Sequence, residues 1–95
     1  MYRNKLKLAP SVLKKYEQGL GLYCFYNSKE KLFWNCEYAT GSVVASLDGS
    51  LTVEEVLDTL LSVNQGVDVE LFTKTLLETF VTLEKDGFLI VVEWR

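Results

Sequence analysis

The hydrophobic period changes from strand to helix close to Asn35, and that change restricts the fold more than any single motif does. Before it, apolar residues alternate with polar ones or cluster as aromatics, the pattern of half-buried strands. "KLKL" at 5–8 alternates Lys and Leu, Pro10 interrupts it, and "SVLKKYE" at 11–17 reads as a bent continuation. "GLG" at 19–21 is a turn, "LYCFYN" at 22–27 is an aromatic strand, and "SKEK" at 28–31 is short enough to close a hairpin onto "LFWN" at 32–35. Side chains alternate across a strand, so Leu32 and Trp34 are expected in the core, with Phe33 and Asn35 facing outward.

After Asn35 the period becomes helical. Asn35 is a suitable N-cap with Glu37 in the first turn, and a helix is expected from about Cys36 to Leu47, with Ala39, Val43 and Leu47 on one face. Gly41 inside it costs about 1 kcal/mol relative to Ala, a cost that suits a place where another backbone approaches closely. "DGS" at 48–50 should stop this helix. Thr52 and Glu55 form a T-x-x-E capping box for a second helix over 53–63, which Gly66 ends. Asp68 caps a third helix over 69–86, Gly87 ends it, and "FLIVVEW" at 88–94 is a final extended segment. Strands first and helices after them give an α+β domain. Its expected architecture is winged helix-turn-helix-like, with an N-terminal three-stranded antiparallel sheet packed on three helices.

Ninety-five residues make one domain, 1–95, with a modest core and no room for a second domain to hold a cofactor. The opening ten residues contain no apolar h-region, and the longest apolar run, "FLIVV", is too short to span a bilayer, so the expectation is a cytoplasmic protein without a membrane segment. Cys24 and Cys36 fit buried free thiols, and they could bridge only if strand register set them opposite one another. The absence of histidine removes the commonest general base and metal ligand, and no Gly-rich loop follows a strand to cradle phosphate. No catalytic role and no cofactor are expected.

Charge is divided along the chain. Residues 1–35 carry seven Lys/Arg and two Glu, whereas residues 36–95 carry three Lys/Arg and eleven Asp/Glu. The third helix holds Glu70, Glu78, Glu84 and Asp86 against Lys74 and Lys85, the wrong balance for an element entering a nucleic-acid groove. That helix is also apolar over a wide arc: Val69, Phe72, Leu76, Phe80 and Leu83 form a core stripe, and Leu77 and Val81 fall outside it beside Thr73 and Lys74. An edge strand left open can accept a strand from a partner. Phe33 and the spare flank of the third helix would then be the two walls of a groove.

In order and spacing, Trp34-Asn35, Ala39 and Gly41, Leu47-Asp48-Gly49, Thr52-Val53-Glu54-Glu55 and Gly87-Phe88-Leu89 resemble PqqD-like proteins, the small peptide-binding domains called RiPP recognition elements. "KLAPSV" at 7–12 matches a common opening of that family. The resemblance implies a non-catalytic domain that takes the leader segment of a ribosomally made precursor peptide as an extra strand on the third strand, beside the third helix. It would present the peptide to a modifying enzyme, often a radical SAM protein. Carried onto this chain, the peptide-binding residues are Lys31, Leu32, Phe33, Trp34, Asn35, Thr73, Lys74, Leu77 and Val81. The basic front adds the expectation of an acidic peptide. Two alternatives remain: a self-associating adaptor using the same edge or the "FLIVVEW" segment with Trp94, and a degenerate DNA-binding winged helix.

Overall fold

The computed structural model describes residues 4–92; Trp94 and the end of the last extended segment lie outside them. The fold is α+β, with six strands and three helices among the described residues. The strands form two antiparallel three-stranded sheets rather than one.

Pro10 is the reason for the split. β1 (Lys5–Leu8) and β2 (Val12–Glu17) flank it. A corner forms there, closed by the Val12 amide on the Ala9 carbonyl at 3.0 Å, because proline donates nothing to a ladder and restricts the residue before it. β2 continues through two turns into β3 (Leu22–Asn27) and β4 (Leu32–Glu37), giving the order β2-β3-β4. β1 instead becomes the centre of a second sheet. It lies between β5 (Asp48–Thr52) and β6 (Leu89–Val92).

β5 is a strand where the sequence suggests only a helix stop. The carboxylate of Asp48 accepts the Ser50 amide at 3.0 Å, a local turn. Gly49 sits at φ +89°, and the β1 register slips between Lys5 and Lys7. The strand is therefore bulged, and its bulge carries the turn signature.

α1 covers Tyr38–Ala45, shorter than the expected 36–47. Asn35 does not cap it. Cys36 and Glu37 stay in the ladder opposite Tyr23 and Leu22, so the N-cap position falls to Glu37, whose carboxylate accepts a hydrogen bond from the Thr40 hydroxyl. α2 (Val53–Val63) has the full capping box: the Glu55 amide donates to the Thr52 hydroxyl at 3.2 Å, and the Thr52 amide donates to the Glu55 carboxylate at 2.9 Å. These bonds hold the Glu55 carboxyl below its ordinary pKa. α3 (Val69–Lys85) is capped by Asp68, which accepts the Leu71 amide at 3.1 Å, and it ends at Gly87 with φ +80°.

The core joins Leu6 of β1, Phe25 of β3, Val44 of α1, Val56 and Leu60 of α2, and Leu76, Phe80 and Leu83 of α3. Val69 belongs to the α3 stripe by period but is exposed, since the first turn of the helix projects past the core. Gly41 lies against β3 at Tyr23: a Cβ at Gly41 would fall inside van der Waals contact with the Cβ and ring of Tyr23. The close approach is therefore to a side chain as well as to a strand.

Candidate functional site

β4 is an edge strand, paired on one side with β3. Its register sets Phe33 opposite Tyr26, Asn35 opposite Cys24, Trp34 opposite Phe25 and Cys36 opposite Tyr23. Phe33 and Asn35 therefore face out, and Phe33 is 74% exposed. Trp34 and Cys36 face inward and pack against the core. Leu32 shares that face but remains 39% exposed: it stands at the start of the open edge strand, while its ladder partner Asn27 on β3 is covered. The register also settles the cysteines: Cys24 and Cys36 lie on opposite faces of the sheet and are free thiols. Burial, then the neighbouring Glu37 charge and Cys24, push the Cys36 thiol up to about 12, so it is protonated at neutral pH.

Between β4 and α3 lies a cleft of about 320 Å³. Phe33, Trp34, Leu83 and Phe88 supply its apolar surface. The α3 side is polar: Thr75, Glu78, Thr79, Thr82 and Asp86. Thr79 donates its hydroxyl proton to the Thr75 carbonyl at 2.9 Å, and Thr82 donates to the Glu78 carbonyl at 3.1 Å.

This cleft lies between β4 and α3, but on the other flank of the helix from the one expected, and Lys31, Leu32 and Asn35 do not line it. Thr73, Lys74, Leu77 and Val81 do not line it. At 100° per residue they occupy the side of the core stripe opposite to Thr75, Thr79, Thr82 and Asp86. Leu77 packs against the core and Val81 is half exposed. A helical period fixes which face is buried; it does not fix which flank meets the neighbouring strand, because that depends on the direction in which the helix crosses the sheet. The polar i, i+4, i+7 run of Thr75, Thr79 and Thr82 was the available signal, but on an exposed helix it reads as solvated surface.

The positive charge of the front half is not gathered at the cleft. Lys5 and Lys7 lie on β1 in the other sheet. Lys14 donates to the Ala45 carbonyl at 2.7 Å, at the end of α1, and Lys15 pairs with Glu17 at 3.1 Å. Lys29 and Lys31 sit in the β3–β4 turn, where Lys31 takes the left-handed conformation at φ 58°.

Asn27, only 1% exposed, fixes the cleft's geometry and was not singled out from sequence. Its side-chain amide donates to the Asp86 carbonyl at 2.8 Å, and its side-chain oxygen accepts the Lys29 amide at 3.1 Å. It thus joins the β3–β4 turn to the C-terminus of α3. A buried polar side chain with its bonds made is the kind that specifies one arrangement.

A second exposed apolar surface lies on the outer face of the β2-β3-β4 sheet. Leu13, Tyr26 and Phe33 form one cross-strand row. The Tyr26 and Phe33 rings stand 4.5 Å apart between centroids, and Leu13 is 64% exposed. Among the described residues no group of three or more His, Cys, Asp and Glu could hold a metal ion, and no helix is long and apolar enough to cross a membrane. Comparison of the chain with models of known protein families, with curated proteins and with solved structures found no match.

Proposed function

We propose that this protein is a non-catalytic peptide binder that takes an extended segment as a fourth strand on the free edge of β4. The observation that carries this reading is the cleft: an unpaired strand edge runs beside a helix with about 320 Å³ of space between them, floored by aromatic side chains. Main-chain hydrogen bonds to β4 would supply affinity, and alternate side chains entering the cleft would supply specificity. The sequence resemblance to RiPP recognition elements names the occupant as the leader segment of a ribosomally made precursor peptide, presented to a modifying enzyme of the radical SAM type. In this reading α2 and α3 are the helix-turn-helix pair of a winged-helix-like domain, and the β2-β3-β4 sheet packs beside them.

The test is titration of labelled leader peptides, encoded near this gene, with fluorescence anisotropy as the readout. Micromolar binding, about −8 kcal/mol, is expected. Phe33→Ala should weaken it by about 1–3 kcal/mol, as truncation of an aromatic hot spot does. The variant should stay folded, losing no more than about 1 kcal/mol of stability, the worth of the cross-strand ring contact with Tyr26. Methylating alternate peptide amides should abolish binding if a strand is added. Undiminished binding after methylation would sink strand addition.

A second reading is favoured by the exposed row Leu13, Tyr26 and Phe33: two copies of the chain could pack these faces together. Sedimentation analysis separates the two. A dimer that dissociates on Leu13→Asp, with no peptide binding, would favour self-association.

A further inference from the structure

We propose that the segment accepted beside β4 is cationic, presenting Lys or Arg side chains to the α3 wall of the cleft. This inference rests on the peptide-binding reading and specifies the chemistry of its ligand.

Three features of the cleft carry it. First, the α3 wall presents Glu78 and Asp86, and neither carboxylate is ion-paired with a Lys or Arg among the described residues. Second, the hydroxyl protons of Thr79 and Thr82 are donated to helix carbonyls. Those two threonines therefore offer methyl groups and oxygen lone pairs to the cleft, so the wall is rich in acceptors and poor in donors. Third, the facing surface is aromatic, from Phe33 and Trp34. An ammonium or guanidinium group can lie over such rings while its N–H groups reach carboxylates.

An acidic segment meets the opposite situation. Its carboxylates would be brought against the like charges of Glu78 and Asp86, with no lysine in the lining to offset them. The lysines of the front half lie on the other sheet, bond elsewhere or stand in the turn. The charge asymmetry of the sequence is thus reversed locally at the place where a strand would dock.

The experiment uses three labelled peptides of roughly ten residues, long enough to run along β4, alternating threonine with Lys, Gln or Glu. Each is titrated against the wild-type protein, against Glu78→Gln/Asp86→Asn, and against Glu54→Gln/Asp58→Asn. The last variant removes the same charge from exposed positions on α2, away from the cleft. The Lys peptide should bind the wild type roughly tenfold more tightly than the Gln peptide, and the Glu peptide more weakly still. The α3 variant should reduce the Lys preference to within about threefold, while the α2 variant keeps it. Equal or tighter binding of the Gln or Glu peptide overturns the charge assignment and leaves peptide binding standing. A Lys preference lost equally in both variants also overturns it, since net charge alone would then be responsible. No binding by any of the three overturns both the assignment and the peptide reading.

Discussion

The two sheets are built in opposite ways. β5, β1 and β6 come from the middle, the start and the end of the described chain, so that sheet exists only once the helices between its strands have packed. β2, β3 and β4 follow one another through two turns and need no other part of the chain to pair. The first sheet closes the body of the protein. The second is a local meander attached to that body, with its last edge beside α3 and its outer face uncovered. Non-local pairing binds the two ends of the described residues into one cooperative unit, whereas a local meander depends more on specific attachments to hold its place. Beyond the inner-face side chains Val12, Phe25 and Trp34 that enter or pack on the common core, three specific attachments are evident: Gly41 against Tyr23, Lys14 on the Ala45 carbonyl, and Asn27 on the Asp86 carbonyl.

If that contrast is right, damage at the attachments should loosen the meander before the first sheet. The largest effect is expected at Gly41→Ala. Its methyl group would overlap the Cβ and ring of Tyr23, which belong to the sheet and cannot swing away as the tip of a flexible side chain could. Overpacking of this kind costs about 1–3 kcal/mol, and here the upper end is expected because strand or helix must shift. Amide exchange should show lost protection in β2–β4 and α1, with β1 and β6 retaining theirs. Uniform loss across both sheets would mean that they form one cooperative unit and that the contrast is false.

Asn27→Ala should follow. It removes the buried amide that joins the half-buried Asp86 carbonyl to the Lys29 amide, and the loss of these bonds should cost about 1–2 kcal/mol. Its more informative readout is binding. With the β3–β4 turn released from the end of α3, the cleft should widen and peptide affinity should fall, although Asn27 does not line the cleft. Unchanged affinity in the folded variant would show that other contacts hold α3 against β4.

The same contrast explains what was legible in the sequence. The meander was readable because its signals are local: aromatic alternation, a polar four-residue turn, and Phe33 facing out. α2 and α3 were readable for the same reason, through the capping box and Asp68. The first sheet was legible only in part: Lys5–Leu8 and Leu89–Val92 read as extended segments, but neither β5 nor the pairing that joins all three did. β5 carries an Asp-Gly-Ser turn inside a bulged strand, and only its pairing with β1 across the fold makes it a strand. α1 begins later than its sequence signals imply, because Asn35 is a good cap in isolation while the ladder opposite β3 keeps Cys36 and Glu37 extended. At the candidate site, the outward facing of Phe33 and Asn35 is legible in the strand alternation, but of residues 31–35 only Phe33 and Trp34 line the cleft, and Leu32, expected in the core, is 39% exposed. On the α3 half, the surplus apolar residues Leu77 and Val81 point to the flank they share with Thr73 and Lys74. The cleft uses the polar flank instead, and no local pattern records the crossing direction that decides this.

The smallest effect is expected at Lys31→Gly, and it separates two roles for one residue. Lys31 ends the β3–β4 turn at φ 58°, where a side chain with a Cβ is disfavoured and glycine is not. Relief of that strain is partly offset by the greater freedom glycine gives the unfolded chain. The net gain should be about 0.5 kcal/mol, a rise in Tm of about 2–4 °C for a domain of this size. If Lys31 serves only the turn, peptide affinity should stay as it is. If affinity for the Glu peptide falls while that for the Lys peptide rises, the Lys31 charge reaches the docked strand. The acidic wall of α3 would then face a basic residue at the end of β4, and the cleft would read a peptide's charge by position along the strand rather than by its total.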